Sequence, residues 1–379
     1  MIVKKLQLIN FRNYEKEEIS FDPGINVITG DNAQGKTNLL ESLIYLSLTR
    51  SYRIHEDKEL IMHGKEYARI GCIYEDDREK RIEAIISLNG KNLLVNKVPM
   101  KKSSEFIGLL NTVLFSPDDL SIFKDSPRTR RRLIDQEITK VSSQYLGALT
   151  RYQNLLKNRN SILKEFHPDE NYLNIIDNQM IQEELIIINE RNDFVNHINR
   201  NMVQIYQTLS NDDNVVQISY LSCVDVNDLE NNLKAVYEIS RKKDLESHVT
   251  TTGIHREDIL FCMNDKNLIY TASQGQKRMT MLAFKISLLS YIEEKIHKKP
   301  ILLLDDVLSE LDQTRQQKLI EMVQGPYQCL ITSTDIPVAL KNIVGNEYIV
   351  KQGKILKKGR TCNEWWNKRY LNRRRRFWN

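Results

Sequence analysis

Apolar positions follow two rhythms along this chain, and the change between them divides it. Up to about residue 120 the rhythm is that of strands. Val3–Ile9 and Glu17–Phe21 bracket a turn at Phe11-Arg12-Asn13-Tyr14, Ile25–Thr29 is a short buried strand, and Arg69–Tyr74 and Ile82–Leu88 follow. Asn89-Gly90 after the last of these is a strong hairpin turn. From about 121 to 210 the spacing becomes three and four. Val195, Ile198, Met202, Ile205 and Leu209 form one stripe. Leu146, Leu149, Leu156, Leu163 and Phe166 form an earlier one, ended by His167-Pro168-Asp169. Both stripes read as the core of a helical lobe.

Strands return from about 251. Ile259–Met263, a turn at Asn264–Asn267 and Leu268–Tyr270 read as a hairpin. A helix carrying Met281, Leu282, Phe284, Ile286, Leu288 and Leu289 leads to Ile301–Leu304, an apolar run that suits a strand covered on both faces. Gln328–Thr334 is one more buried strand. The pattern predicts an α/β fold whose sheet is split in sequence by an inserted helical lobe. The segments are 1–120, 121–250, 251–350 and 351–379.

Chemistry sits where the strands end. Gly30-Asp31-Asn32-Ala33-Gln34-Gly35-Lys36-Thr37 fits G-x-x-x-x-G-K-[ST], between the strand Ile25–Thr29 and an amphipathic segment Asn38–Leu46. Two glycines let the backbone turn its N–H groups toward a polyphosphate, and the helix N-terminus adds positive potential. Lys36 would reach the β- and γ-phosphates of a nucleotide in such a loop, and the Thr37 hydroxyl would ligate Mg²⁺. The strand Ile301–Leu304 ends in two carboxylates. Asp305 is placed for the Mg²⁺ shell, and Asp306 for orienting or deprotonating the attacking water.

Composition narrows the setting. The 379 residues are 41% hydrophobic and 28% charged, an ordinary globular balance. No apolar run approaches the roughly 18 residues of a membrane span, and Met1–Leu6 lacks the core of a secretion signal. The five cysteines form no C-x-x-C pair and are odd in number, as in reduced thiols of a cytoplasmic protein with no disulfide framework or zinc site. The net charge of +5 is uneven. Of 55 basic and 50 acidic residues, 11 and one lie from Lys351 onward, which leaves 44 and 49 in the remainder. That tail mixes Arg with Trp and Phe, a composition suited to phosphate contacts and base stacking. Lys124, Arg128, Arg130, Arg131 and Arg132 form an internal basic cluster, whose four arginines are candidates for nucleic-acid contact.

Between the hairpin and the following helix lies Ser273-Gln274-Gly275-Gln276, and after the acidic strand comes Leu308-Ser309-Glu310-Leu311-Asp312. With Leu8–Tyr14, Gly30–Thr37, Phe115–Leu120 and Gly253–Asp258, these blocks stand in the order found in ATP-binding-cassette ATPases. Nearly the whole chain up to residue 350 resembles the RecF family of bacterial recombination proteins, relatives of the SMC ATPases. The resemblance implies a weak ATPase that forms a homodimer on ATP, binds single-stranded and gapped double-stranded DNA, and recruits the mediators RecO and RecR. It further implies that Ser273 caps the γ-phosphate held by a second subunit, that Arg12 and Asn13 lie at the nucleotide, and that Asp118 stands where relatives carry a glutamine sensing Mg²⁺ and water. It places His255 and Arg256 at the nucleotide or head interface and Asp312 between heads. Many cassette ATPases carry Glu at the position of Asp306, and the shorter Asp suits slow hydrolysis. No switch histidine follows the last strand, where the chain reads Thr332-Ser333-Thr334-Asp335.

Other classes fit less well. An ABC-type ATPase subunit powering a transporter lacks a long helical insertion between its nucleotide motifs. A GTPase usually carries N-K-x-D, which does not occur here. The insertion is too short for the long arms of a cohesin-like chain.

Overall fold

The structure is a computed structural model that describes residues 1–225, 227–341 and 346–358. The chain separates into two compact units, residues 1–117 with 298 onward, and residues 118–297. Most of the basic aromatic tail, 359–379, lies outside the described residues.

The first unit opens with β1 (Ile2–Phe11) and β2 (Tyr14–Ser20), an antiparallel pair, then β3 (Ile25–Thr29) and helix α1 (Lys36–Leu48). Next come β4 (Tyr67–Glu75), β5 (Glu79–Ser87), β6 (Gly90–Val95), β7 (Val98–Pro99) and β8 (Thr112–Phe115). Strands in the order β2-β1-β4-β5-β6-β7 form an antiparallel sheet. In α1 every residue except Thr37 and Asn38 is buried. A helix apolar on all sides must be covered on all sides. Its Leu39, Leu40, Leu43 and Leu46 share one core with Leu6, Ile70 and Ile82 of this sheet.

The second unit is built on long helices: α2 (Pro127–Thr139), α3 (Ser143–Ile162) and the 41-residue α4 (Glu170–Ser210). Asp169 starts α4 by accepting hydrogen bonds from the Asn171 and Tyr172 N–H groups, so the predicted break at 167–169 is a cap. Then follow β9 (Val216–Leu221), α5 (Leu229–Ser247), β10 (Asp258–Met263), β11 (Lys266–Asn267), the single turn α6 (Leu268–Thr271) and α7 (Gln274–Ile296). The strands β11-β10-β9 form a small antiparallel sheet.

Two expectations are corrected here. Leu268–Tyr270 is a helical turn, because the Asn267 side chain caps it by accepting from the Ile269 N–H. In α3 the buried face is Tyr145, Ala148, Tyr152, Arg159 and Ile162, while of the predicted stripe Leu163 is buried, Leu146, Leu149 and Leu156 are half-buried and Phe166 is exposed. A buried Arg and two Tyr mark that face, and a count of aliphatic residues alone passes over them. The α4 stripe does line the core at Val195, Ile198, Met202 and Leu209. Residues 251–297, read from sequence as the start of the C-terminal half of the ATPase head, group with the helical unit.

The chain then returns to the first unit with β12 (Ile301–Asp305), helix α8 (Gln313–Val323), β13 (Cys329–Ser333), β14 (Asn346–Lys351) and β15 (Lys354–Lys358). The second sheet of this unit has the order β15-β14-β3-β13-β12-β8, parallel except for the edge strand β15. The strands β3, β12 and β13 are buried along their whole length. Their parallel register brings Asp305 level with Thr332 and Ser333 level with Thr29, so the carboxyl ends of three strands lie side by side.

Candidate functional site

The site is built where β3, β12 and β13 end. After β3 the chain passes through Gly30 at φ 147° and Gly35 at φ 119° before α1 begins. A Cβ on Gly30 would run into the carbonyl oxygen of Val350, so only glycine fits this turn. Among the described residues no side chain caps α1, which leaves its first N–H groups free for an anion. Lys36 is buried, and its ammonium donates to the carbonyl oxygens of Gly30 (2.6 Å) and Asp31 (3.1 Å). That bond closes the loop over the helix end. Asp31, Asn32 and Ala33 are exposed at the loop crest.

Thr37 and Asp305 meet directly. The Thr37 hydroxyl donates to Asp305 Oδ1 at 3.1 Å, and the Thr332 hydroxyl donates to the same oxygen at 2.7 Å. Burial pushes the Asp305 carboxyl above the usual carboxylate range, and these two hydroxyls oppose the shift. A buried carboxylate that two neutral donors stabilise only in part is suited to a cation. Among the described residues no three His, Cys, Asp or Glu converge as a metal site. A hard cation held here by Thr37 and Asp305 alone has open positions for phosphate oxygens, the arrangement Mg²⁺ favours.

Asp306 has a left-handed backbone, φ 52°, a conformation that costs energy outside glycine. Its N–H donates to the Thr332 hydroxyl at 3.0 Å. Among the described residues its buried Oδ1 has no hydrogen-bond partner, as suits a group reserved for a bound water or ligand. Thr332 therefore organises both acids. Sequence reading passed over it, although a polar residue at the end of an otherwise apolar strand was the available signal.

The turn between β1 and β2 braces the loop. Asn13 Nδ2 donates to the Gln34 carbonyl at 2.7 Å, Asn13 Oδ1 accepts from Asn38 Nδ2 at 2.9 Å, and the Tyr14 hydroxyl donates to the Gly35 carbonyl at 2.9 Å. Arg12 is committed elsewhere. Its guanidinium forks the fully buried Glu41 at 3.0 and 2.9 Å and donates to the Glu59 carbonyl at 3.2 Å. Arg53, a residue the sequence did not single out, donates to Asn38 Oδ1 at 3.2 Å, and its charge draws the Asp305 carboxyl downward.

Asp312 is exposed in the first unit and caps α8 by accepting from the Arg315 N–H at 3.0 Å, and the other predicted residues lie in the second unit. Ser273 is exposed at the start of α7 and forms a reciprocal cap, accepting from the Gln276 N–H at 3.2 Å while its own N–H donates to Gln276 Oε1 at 2.9 Å. Gln274 and Gly275 are exposed beside it. Asp118 is exposed. His255 accepts from or donates to the Tyr152 hydroxyl at 2.8 Å, and burial lowers its pKa to about 4. Arg130, a candidate for DNA contact, is instead buried and forks Asp258 at 2.8 and 2.7 Å, and Arg131 donates to the Glu257 carbonyl. Arg128 and Arg132 stay exposed.

Comparison with known proteins decides the family. Residues 2–342 match the RecF/RecN/SMC N terminal domain. The chain is 37% identical to the DNA replication and repair protein RecF of Bacillus velezensis, over 89% of this chain and 94% of that one. The chain belongs to the RecF family. The RecF of Agathobacter rectalis is 40% identical over 90% of this chain and 94% of its own length. A solved structure of the recombination mediator protein RecF with ATP, from the RecFOR pathway, superposes with a TM-score of 0.87 at 34% identity, covering 94% of this chain and 98% of that one. An SMC head bound to the C-terminal winged-helix domain of ScpA superposes at 0.58 with 17% identity, over 95% and 98% of the two chains, a likeness of fold alone. This RecF-family chain is thus a P-loop ATPase of the DNA replication and repair class. Among the described residues no helix is long and apolar enough to cross a membrane.

Proposed function

We propose that this protein is an ATP-dependent DNA-binding protein of recombinational repair and replication, and a slow ATPase whose two copies join on ATP. The observation that carries the reading is the meeting of Thr37 and Asp305 beside a phosphate loop closed by Lys36. Thr37 and Asp305 would hold Mg²⁺, which would supply charge neutralisation to the triphosphate. Lys36 leaves its two carbonyl partners for the β- and γ-phosphates, and the uncapped N–H groups of α1 take the remaining oxygens. Asp306, with its unpartnered Oδ1, orients the attacking water, and Asp118 senses the same water and Mg²⁺.

In the dimer Ser273 and the N-terminus of α7 cap the γ-phosphate bound by the partner. Their exposure supports this reading. ATP then binds two chains better than one, and linkage makes it a dimerising ligand. The dimer binds single-stranded and gapped DNA and recruits RecO and RecR in the cytoplasm, in line with the repair role and pathway named for its relatives. Calorimetric titration with ATP and Mg²⁺ tests the core of this reading. Wild type binds and Lys36→Ala does not, at equal thermal stability. Equal affinity of the two would refute the loop's role.

A further inference from the structure

The phosphate loop is held from a direction that no motif records. Strand β14 runs beside β3, with Ile349 level with Thr29, so Val350 lies next to Gly30 where the loop begins. The turn that follows, Gln352-Gly353, reaches the other end of the loop. The Gln352 N–H donates to Gln34 Oε1 at 2.6 Å, and the Gly353 N–H donates to the Gln34 carbonyl at 3.3 Å. That carbonyl also accepts from Asn13 Nδ2 at 2.7 Å. Gln34 is therefore the meeting point of three segments far apart in sequence.

The fit has no slack. Gln352 and Gly353 both have left-handed backbones, φ 49° and 70°. A Cβ on Gly353 would overlap the Asn13 carbonyl oxygen, as one on Gly30 would overlap that of Val350. The hairpin is itself anchored. Glu17 of β2 accepts from the Ile355 N–H at 3.0 Å and pairs with Lys354 at 3.1 Å. Tyr348 is buried beneath it, edge-on to Phe21.

We propose that the β14–β15 turn is a brace that presets the phosphate loop for its ligand, with Gln34 and Gly353 as its positioning residues. The inference rests on the reading that this loop binds ATP. A loop with two glycines has many conformations open to it, and a brace that selects one removes that entropic cost from binding. The last sheet hairpin of the chain thereby sets nucleotide affinity at a loop more than three hundred residues earlier.

The test is ATP affinity together with nucleotide-free melting temperature. Gly353→Ala weakens ATP binding about tenfold, and Gln34→Leu, at a half-buried loop position, weakens it several-fold with an unchanged melting temperature. Because both release the same turn from the loop, one through the Gln34 side chain and one through the clash with Asn13, the double variant binds no worse than Gly353→Ala alone. Where Gly353→Ala fails to fold, inserting two glycines after Gly353 loosens the turn without strain and takes its place in the same cycle. Wild-type affinity in Gln34→Leu and in the turn variant overturns the brace, as does full additivity, which would assign Gln34 a direct contact with ATP. Failure of the underlying reading is separate, since Lys36→Ala would then bind ATP as wild type does.

Discussion

Thr37 and Asp305 are 268 positions apart and share a hydrogen bond of 3.1 Å. One belongs to the first turn of a helix and the other to the last residue of a strand, and the whole helical unit is inserted between them. The parallel sheet brings them together by placing β3 and β12 on either side of β13. The site therefore depends on the two sequence halves of the first unit pairing in one sheet.

Arg130 separates a structural charge from a DNA-binding one. Its side chain is 6% exposed and forks Asp258, so Arg130→Met strands a carboxylate and lowers unfolding free energy by about 3 kcal/mol in urea titration. The salt dependence of DNA binding stays as in wild type. A shallower salt slope with unchanged stability would return Arg130 to the DNA surface.

Glu184 gives the second unit a pH dependence. It is fully buried, with Oε1 accepting from the Ile254 N–H at 3.1 Å, and burial raises its pKa from 4.5 to about 7 against the opposing pull of that N–H and of the Tyr237 and Tyr152 hydroxyls. The folded value is raised, so its contribution to stability is complete below pH 4.5 and is lost as the pH climbs through about 7. Glu184→Gln keeps an acceptor for Ile254 and removes the ionisation. The variant is expected to be more stable than wild type by on the order of 3 kcal/mol at pH 8, with the gap closing toward pH 4.5. His255 runs the other way, losing its contribution as the pH falls through about 4, and the same in both proteins. Parallel melting curves across this range would contradict the assignment.

The sheet and the phosphate loop were legible in the sequence because their signals are local. A continuous apolar strand, two glycines and a Lys-Thr pair state the geometry within a dozen residues. Asp305 and Asp306 were legible as the ends of such a strand. Thr332, Arg53 and the Gln352-Gly353 turn were not, because their roles exist only once distant strands pair. The carboxylate partners of Arg12 and Arg130 were equally hidden. A positive charge in a motif looks free until the fold supplies its carboxylate, Glu41 in one case and Asp258 in the other. Leu268–Tyr270 looked like a strand from its β propensity, which the cap from Asn267 outweighs in a segment this short.

The basic tail is tested by a truncation placed after Lys358, which spares the hairpin beside the phosphate loop. It removes seven Lys or Arg residues. ATP affinity is expected to stay the same while affinity for gapped DNA falls and its salt slope becomes shallower, each lost phosphate contact being worth about 0.7 to 0.9 in that slope. An unchanged slope would leave the tail without a role in DNA binding.

Joining of two copies around ATP is measured most directly by sedimentation velocity of the purified chain with and without ATP and Mg²⁺. Wild type is predicted to shift from monomer to dimer only with ATP, Asp306→Asn to bind ATP and accumulate as dimer, and Ser273→Arg to bind ATP and remain monomeric. A wild-type chain that stays monomeric with saturating ATP, or a Ser273→Arg chain that dimerises as wild type does, would contradict the account.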